Sequence, residues 1–351
     1  MEKLHKNYSF LLSLAFFAVI LFLIELFCDS YIKRLVSITE VYAVMAVSLT
    51  LINGVTGIFS LGHSGFIAIG AYVSALLTMP LEQKQFNFIM DDIIVPFNME
   101  AFSGYGFIWA TVIAALVSGL FAFIIGWASL RLSGDYLGIT TLGFSEIIRI
   151  AALNWPGLTN GALGLKGIPS YTNIWWGFAW LVVTVLFIIN LLNSSFGRAL
   201  KAVKQDPVAA KSMGIDVFKH QLVSFVIGGF FAGVSGSLYA HWLTTIDPRT
   251  STIGVPLTFN ILIMIVLGGL GSISGAVIGA VIFSFLSEFL RFIESDIVLG
   301  SLRIPGISGM RTLVFSVIFI LVMVLWPSGI MGNKELKLRL PMLKKKVNSN
   351  V

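Results

Sequence analysis

The sequence predicts an all-α fold: a polytopic transmembrane helical bundle of about ten spans, with broken Gly-rich helices and a short polar helix on the cytoplasmic side. Three observations predict it. Of 351 residues, 57% are hydrophobic and 11% charged, and the mean hydropathy is +0.92. A water-facing surface needs far more charge than that. Apolar runs long enough to cross about 30 Å of hydrocarbon recur along the chain, and the polar residues gather in short segments between them.

The first run lies near residues 9–28 and ends in "ELFCD". Bulky Leu26 and Phe27 and charged Glu25 stand where a signal peptide would place small residues, so the run reads as a retained span. Further runs follow near 36–52, 65–80, 106–130, 136–153, 174–193, 220–240, 256–270, 275–293 and 310–326. Gly-rich breaks such as "NGVTGIFSLGHSG" leave some of these helices short or interrupted. Residues 1–332 form one membrane domain containing the polar loop 195–219, and residues 333–351 form a basic tail.

Lys and Arg set the orientation, because positive loops stay in the cytoplasm. Loop 195–219 holds Arg198, Lys201, Lys204, Lys211 and Lys219, and the tail holds Lys334, Lys337, Arg339, Lys344, Lys345 and Lys346. Ten spans place both on the same side as the N-terminus, which carries Lys3 and Lys6. The 81–105 loop, with Glu82, Asp91, Asp92 and Glu100 against Lys84, then falls outside. Both termini are expected in the cytoplasm.

Several function classes find no support. The single cysteine, Cys28, excludes an internal disulfide and a cysteine-built metal site. His5, His63, His220 and His241 are far apart, and no HExxH or GxSxG pattern occurs, so no catalytic residue and no metal ligand is assigned. No GxxxxGK[ST] run is present, so ATP hydrolysis is expected elsewhere than on this chain. The net charge of +6 lies mostly in two segments flanking spans, as topology alone requires, which argues against nucleic-acid binding.

The loop "GRALKAVKQDPVAAKSMGID", 197–216, contains a helix start and stop. The Asp206 carboxylate suits an N-cap, and Pro207 suits the first helical position. Gly214 can take the positive φ that ends the helix. A basic helix from Arg198 to Lys204 leads into it. The plain reading is a solvated topological anchor; the small pair Ala209 and Ala210 favours close approach by another protein.

At this segment the chain resembles a known family. "AAKSMG" resembles the cytoplasmic signature of ABC importer permeases, two alanines followed by a glycine, with Val208 where that signature often has Glu. "GDYLGITTLGFSEIIRI" at 134–150, "LTNGALGLKGIP" at 158–169, "LGGLGSISGAVIGAV" at 267–281 and "LWPSGIMG" at 325–332 extend the resemblance, over roughly 40–332, to the branched-chain amino acid ABC importer permease family of the LivM type.

The resemblance implies a permease subunit of an ATP-driven importer, not an enzyme, in a bacterial-type cytoplasmic (inner) membrane. Its implied partners are a second related permease, two ATP-binding cassette subunits and an external substrate-binding protein, besides membrane lipid. ATP and Mg would sit on the cassette subunits, with no cofactor on this chain. ATPase coupling would then fall on Arg198, Asp206, Pro207, Ala209, Ala210 and Gly214. Permeases for urea and nucleosides are similar and stay open as alternatives.

Charged residues within spans should face protein or water. Glu146 and Arg149 lie three apart on one helix face, and Glu288 and Arg291 repeat the spacing. Each pair either lines a pathway or neutralises itself at a helix contact. Ser60, His63 and Ser64, beside Gly57, Gly62 and Gly65, are candidates for the translocation pathway or for close packing. Gly271, Gly275 and Gly279 read as a helix-packing face, with the partner permease a possible neighbour. An ion-coupled secondary transporter, with Glu146 or Glu288 as its ion site, is the alternative from a different class.

Overall fold

A computed structural model describes residues 2–88, 105–132, 134–249, 252–294, 297–299, 302–304, 309–326, 328–332 and 335. Asp91, Asp92, Glu100 and the cations of the tail lie outside the described residues. In order the helices are α1 (Glu2–Phe27), α2 (Ser30–Leu49), α3 (His63–Thr78), α4 (Leu81–Asn87), α5 (Gly106–Ser129), α6 (Asp135–Leu153), α7 (Pro156–Thr159), α8 (Ile174–Asn193), α9 (Ser195–Gln205), α10 (Pro207–Ser212), α11 (Val217–Leu243), α12 (Val255–Gly268), α13 (Ile273–Glu294) and α14 (Met310–Leu325). A π-helical turn (Thr50–Val55), a 3-10 turn (Gly161–Leu163) and two short antiparallel strand pairs are also described. Strand β1 (Leu165–Lys166) pairs with β2 (Thr245–Ile246), Leu165 opposite Ile246, and β3 (Ile297–Leu299) pairs with β4 (Leu302–Ile304).

Six helical segments are long and apolar enough to cross a membrane: Ser30–Val55, Gly106–Ser129, Asp135–Leu153, Ile174–Asn193, Val217–Leu243 and Ile273–Arg291. The chain is a multi-pass helical membrane protein. Four further apolar helices, Ala15–Phe27, His63–Thr78, Val255–Gly268 and Leu313–Leu325, are shorter and coincide with the remaining apolar runs of the sequence. The 16 residues of α3 cover about 24 Å at 1.5 Å per residue. That is less than the thickness of the hydrocarbon, and α3 begins late because the chain before it leaves helical geometry.

Helix α11 is the centre of the bundle and packs on α5, α3 and α2. Small residues bring these backbones together. Gly70 of α3 lies against the backbone of Gly233, Gly236 against the backbone of Ile67, and Gly229 against Ala122 of α5. Between lipid-soluble helices the driving force is packing and interhelical hydrogen bonding, and both are present. The Ser118 hydroxyl donates to the carbonyls of Phe66 (3.0 Å) and Gly229 (2.8 Å), and Ser237 meets Ser74 at 2.7 Å and Thr111 at 2.8 Å. Around this seam Val44, Leu49, Phe66, Phe225 and Leu238 are fully or almost fully buried.

Of the glycines expected as a helix-packing face, Gly275 and Gly279 make their close contacts within this chain. Gly275 lies against Gly268, and Gly279 against Met264, so they seat α13 on α12. Gly271 precedes α13, has φ +110°, and lies against Gly54 instead of continuing the helical face. The four-residue spacing predicts one stripe, but the turn before α13 divides it.

These contacts predict opposite outcomes for two glycine-to-alanine changes. Gly236→Ala forces a methyl into the Ile67 backbone and should cost about 1–3 kcal/mol. At Gly143 of α6 an added Cβ meets nothing within 4 Å, so Gly143→Ala should be neutral or stabilising by up to about 1 kcal/mol. Unfolding midpoints of the two variants in detergent check this, and equal midpoints would contradict the packing described.

Candidate coupling site and intramembrane polar groups

The polar loop folds as two helices, α9 and α10, that pack on one another. Ser194 caps α9, its hydroxyl accepting from the Gly197 N–H at 3.3 Å. Gly197, Leu200 and Val203 turn inward, while Arg198, Lys201 and Lys204 lie on the exposed side. Arg198 Nη1 donates to the Asn193 carbonyl at 3.4 Å, satisfying the end of α8. Asp206 ends α9 and starts α10: its Oδ1 accepts from the N–H groups of Val208 (2.8 Å) and Ala209 (3.0 Å), and Pro207 fills the first position, where no N–H is needed. Gly214, at φ +80°, closes the turn, and the Ile215 N–H returns to the Ala210 carbonyl at 3.1 Å.

The outward face differs from the expected alanine pair. Ala210 is buried, because α10 rests on α9 and α11 through it, and Ala209 alone of the two is exposed. Val208 and Met213, at 75% and 82% exposure, form the protruding apolar surface beside it.

Lys204 ties this segment to the membrane domain. Its Nζ donates to the Gly54 carbonyl at 2.5 Å, and its aliphatic stem covers Gly57, which has φ +77°. Gly54 belongs to a π-helical turn, Thr50–Val55, that ends α2. A Cβ on Gly54 would stand 2.7 Å from the Gly271 nitrogen, so α9, the end of α2 and the turn before α13 meet at one junction.

Beyond that turn the broken backbone is satisfied by side chains. Asn53 Nδ2 donates to the Ser60 carbonyl (3.1 Å) while Asn53 Oδ1 accepts from the Ser60 N–H (3.2 Å). The Leu61 N–H donates to Thr141 Oγ1 of α6, and the Ser64 N–H to Thr258 Oγ1 of α12, both at 3.0 Å. Ser60, His63 and Ser64 are consequently buried, with His63 Nε2 2.8 Å from the Ser48 hydroxyl and Nδ1 without a hydrogen-bond partner among the described residues.

Glu146 and Arg149 form an ion pair at 2.8 Å, half-buried, and Arg149 Nη1 also donates to the Pro248 carbonyl at 3.2 Å. On the same helix Thr141 meets the break before α3, at Leu61 and Gly62, and Ser145 and Ile148 lie against Gly65 in the first turn of α3. Arg149, one turn after Ser145, borders that face. Arg291 and Glu288 pair at 3.2 Å, and the Tyr31 hydroxyl donates to the same glutamate. Among the described residues no three of His, Cys, Asp and Glu cluster as metal ligands would.

Residues 31–326 match the family model described as branched-chain amino acid transport system / permease component. The chain belongs to this permease family. It is 32% identical over 304 residues to the high-affinity branched-chain amino acid transport system permease protein LivM of Salmonella typhimurium and 31% identical over 304 residues to LivM of Escherichia coli, in each case covering 76% of this chain and 66% of the relative. The chain thus spans just under two thirds of the length of those relatives. Against LivH of Salmonella typhimurium the identity is 27% over 326 residues, 86% of this chain and 94% of the relative. The family match begins just inside α2, so α1 lies outside it.

One ionisable side chain within the apolar helices is not among the residues that the sequence pattern singles out. Glu40 of α2 is 6% exposed, lies against Gly177 of α8, and neither carboxylate oxygen has a hydrogen-bond partner among the described residues. The signal was present: no Lys or Arg stands within four residues of Glu40 in "VSITEVYAV", unlike the two i,i+3 pairs.

The cap geometry generates a local prediction. Asp206→Ala removes both side-chain acceptors and should cost about 1 kcal/mol of α10 stability. Amide hydrogen exchange at Val208 and Ala209 should accelerate about fivefold, with exchange in α11 unchanged; unchanged rates at the two amides would show that the cap contributes nothing.

Proposed function

We propose that the chain is a transmembrane subunit of an ATP-driven ABC importer for branched-chain or related amino acids. The observation that carries this is the protruding apolar surface of Val208, Ala209 and Met213 on a capped helix whose neighbour is fastened to the broken end of α2 by Lys204. A solvated loop has no need of such a surface, and an ATPase subunit with a complementary groove does. In this reading two ATP-binding cassette subunits hold the ATP and Mg, a second related permease completes the membrane unit, and an external binding protein delivers the solute. Ten spans with both termini in the cytoplasm of an inner-membrane protein fit the cation distribution.

When the cassette subunits close on ATP, α10 moves with them, and α9 pulls on Gly54 through the Lys204 ammonium. The break between α2 and α3, buttressed by Thr141 and Thr258, is the segment that responds, as hinges at element ends do. The half-buried Glu146–Arg149 pair needs protein or water beside it in the bilayer, which suits this part of α6 to the second permease or to the pathway between the two. Closely similar permeases for urea or nucleosides would share this coupling, and the external binding protein would distinguish them.

Reconstitution tests the reading. With cassette subunits and binding protein supplied, vesicles should accumulate leucine only with ATP, and dissipating proton and sodium gradients should leave uptake intact. Val208→Asp with Met213→Asp should abolish both subunit binding and uptake. Accumulation without ATP on an ion gradient, lost in Glu40→Gln, would replace this reading with an ion-coupled carrier; Glu146 and Glu288 are already engaged by arginines.

Lys204 generates a second expectation. Lys204→Met should retain the cassette subunits and their ATPase activity while lowering solute moved per ATP about tenfold, and Lys204→Arg should restore much of it. Proportional loss of ATPase and uptake in Lys204→Met would show that the residue only stabilises the loop.

A further inference from the structure

At the end of the bundle carrying the α1–α2 turn and the N-terminus of α8, a cavity of about 270 Å³ opens between α1, α2, α8 and the last turn of α11. Three charged side chains line it, Glu25, Lys33 and Arg34. Among the described residues none of the three is within 4 Å of an opposite charge, although they share one small space. Arg34 instead lies over the Trp242 ring, 4.6 Å from its centre, and that indole N–H returns to the Arg34 carbonyl at 3.1 Å. Glu25 accepts from the Trp175 indole N–H. Arg34 and Glu25 are thus each engaged by a different tryptophan and not by one another.

That arrangement suits a ligand carrying an oxyanion and an ammonium a few bonds apart. Two adjacent cations present more donors than Glu25 alone could use, and charge-assisted hydrogen bonds to an oxyanion are the strong ones. Tryptophans at the same level mark the headgroup zone of a membrane. The part of α1 that borders the cavity exposes Phe22, Leu23, Leu26 and Phe27, a surface for acyl chains. Adjacent cations at this end are also unexpected under the orientation proposed above, where positive residues belong on the opposite face; a ligand that engages them accounts for their position.

We propose that this cavity binds the phosphoethanolamine headgroup of a membrane phospholipid, its phosphate held by Lys33 and Arg34 and its ammonium by Glu25. The lipid would fill the crevice between α1 and α8 and fasten α1, which lies outside the family match and touches the bundle mainly through α2. A free amino acid carries the same pair of charges and is the competing source of this chemistry.

The test is titration calorimetry of the delipidated full-length protein in detergent with dihexanoyl-phosphatidylethanolamine, dihexanoyl-phosphatidylglycerol and leucine. The ethanolamine lipid should bind tightest. Lys33→Gln with Arg34→Gln should weaken both lipids about tenfold or more, and Glu25→Gln should bring the ethanolamine lipid down to the level of the glycerol lipid. Glu25 is exposed, so that variant remains informative if the double variant folds poorly. Equal lipid binding by wild type and both variants would overturn the proposal. So would leucine binding as tightly as the ethanolamine lipid and displacing it, which would assign the cavity to amino acids. Neither result bears on ATP-driven uptake.

Discussion

Hydrocarbon offers no hydrogen bonds to a broken backbone, and the segment from Thr50 to Gly62 lies between two helices of the membrane domain. Each polar group exposed by the break has to find its partner within the protein. Asn53 closes on Ser60, Thr141 receives Leu61, Thr258 receives Ser64, and Lys204 reaches Gly54. These contacts bring α6, α12 and α9 to the break. Close backbone approach at Gly54 and Gly62, which lies against the Thr141 carbonyl, is a consequence of the same requirement. The positions of these helices around the break follow from satisfying it.

The bundle divides accordingly into a tightly joined centre and a looser periphery. Glycine and serine contacts hold α3, α5 and α11 with little room for repacking, whereas α6, α8 and α14 present large apolar residues outward. In the proposed importer, motion entering at α10 would move the break against this fixed centre. Lys204 is well suited to transmit it, being an ammonium on a long stem joined to a carbonyl that has no place in the α-helical ladder. Glu40 remains a buried acid side chain at the α2–α8 contact with no role assigned to it in the import cycle.

Local chemistry was legible in the sequence and long-range contact was not. The apolar runs coincide with helices, and Asp206, Pro207 and Gly214 mark the ends of α10, because cap and turn preferences act over three or four residues. Which side of α10 faces out was not legible, since six residues hold too little periodicity to orient a helix; Ala210 therefore appeared as a contact residue when it is buried. Lys204 and Gly54 are 150 residues apart, and no pattern joins them. Glu335 illustrates the same limit. It lies in a tail read only as basic, yet its carboxylate accepts from the N–H groups of Ile273 (2.7 Å) and Ser274 (3.1 Å) at the start of α13.

Docking through α10 is the step on which the importer reading depends, and a single introduced thiol examines it directly. Cys28 is the chain's one cysteine, so Cys28→Ser with Val208→Cys leaves one thiol at the most prominent point of α10. After mixing with the cassette subunits, a short thiol-to-amine cross-linker should join that position to a cassette subunit in high yield, and the yield should change when ATP closes the pair. A cysteine at Val183, exposed in the middle of α8, should give none. Equal and low yields from both positions, with the subunits otherwise assembled, would contradict docking at α10.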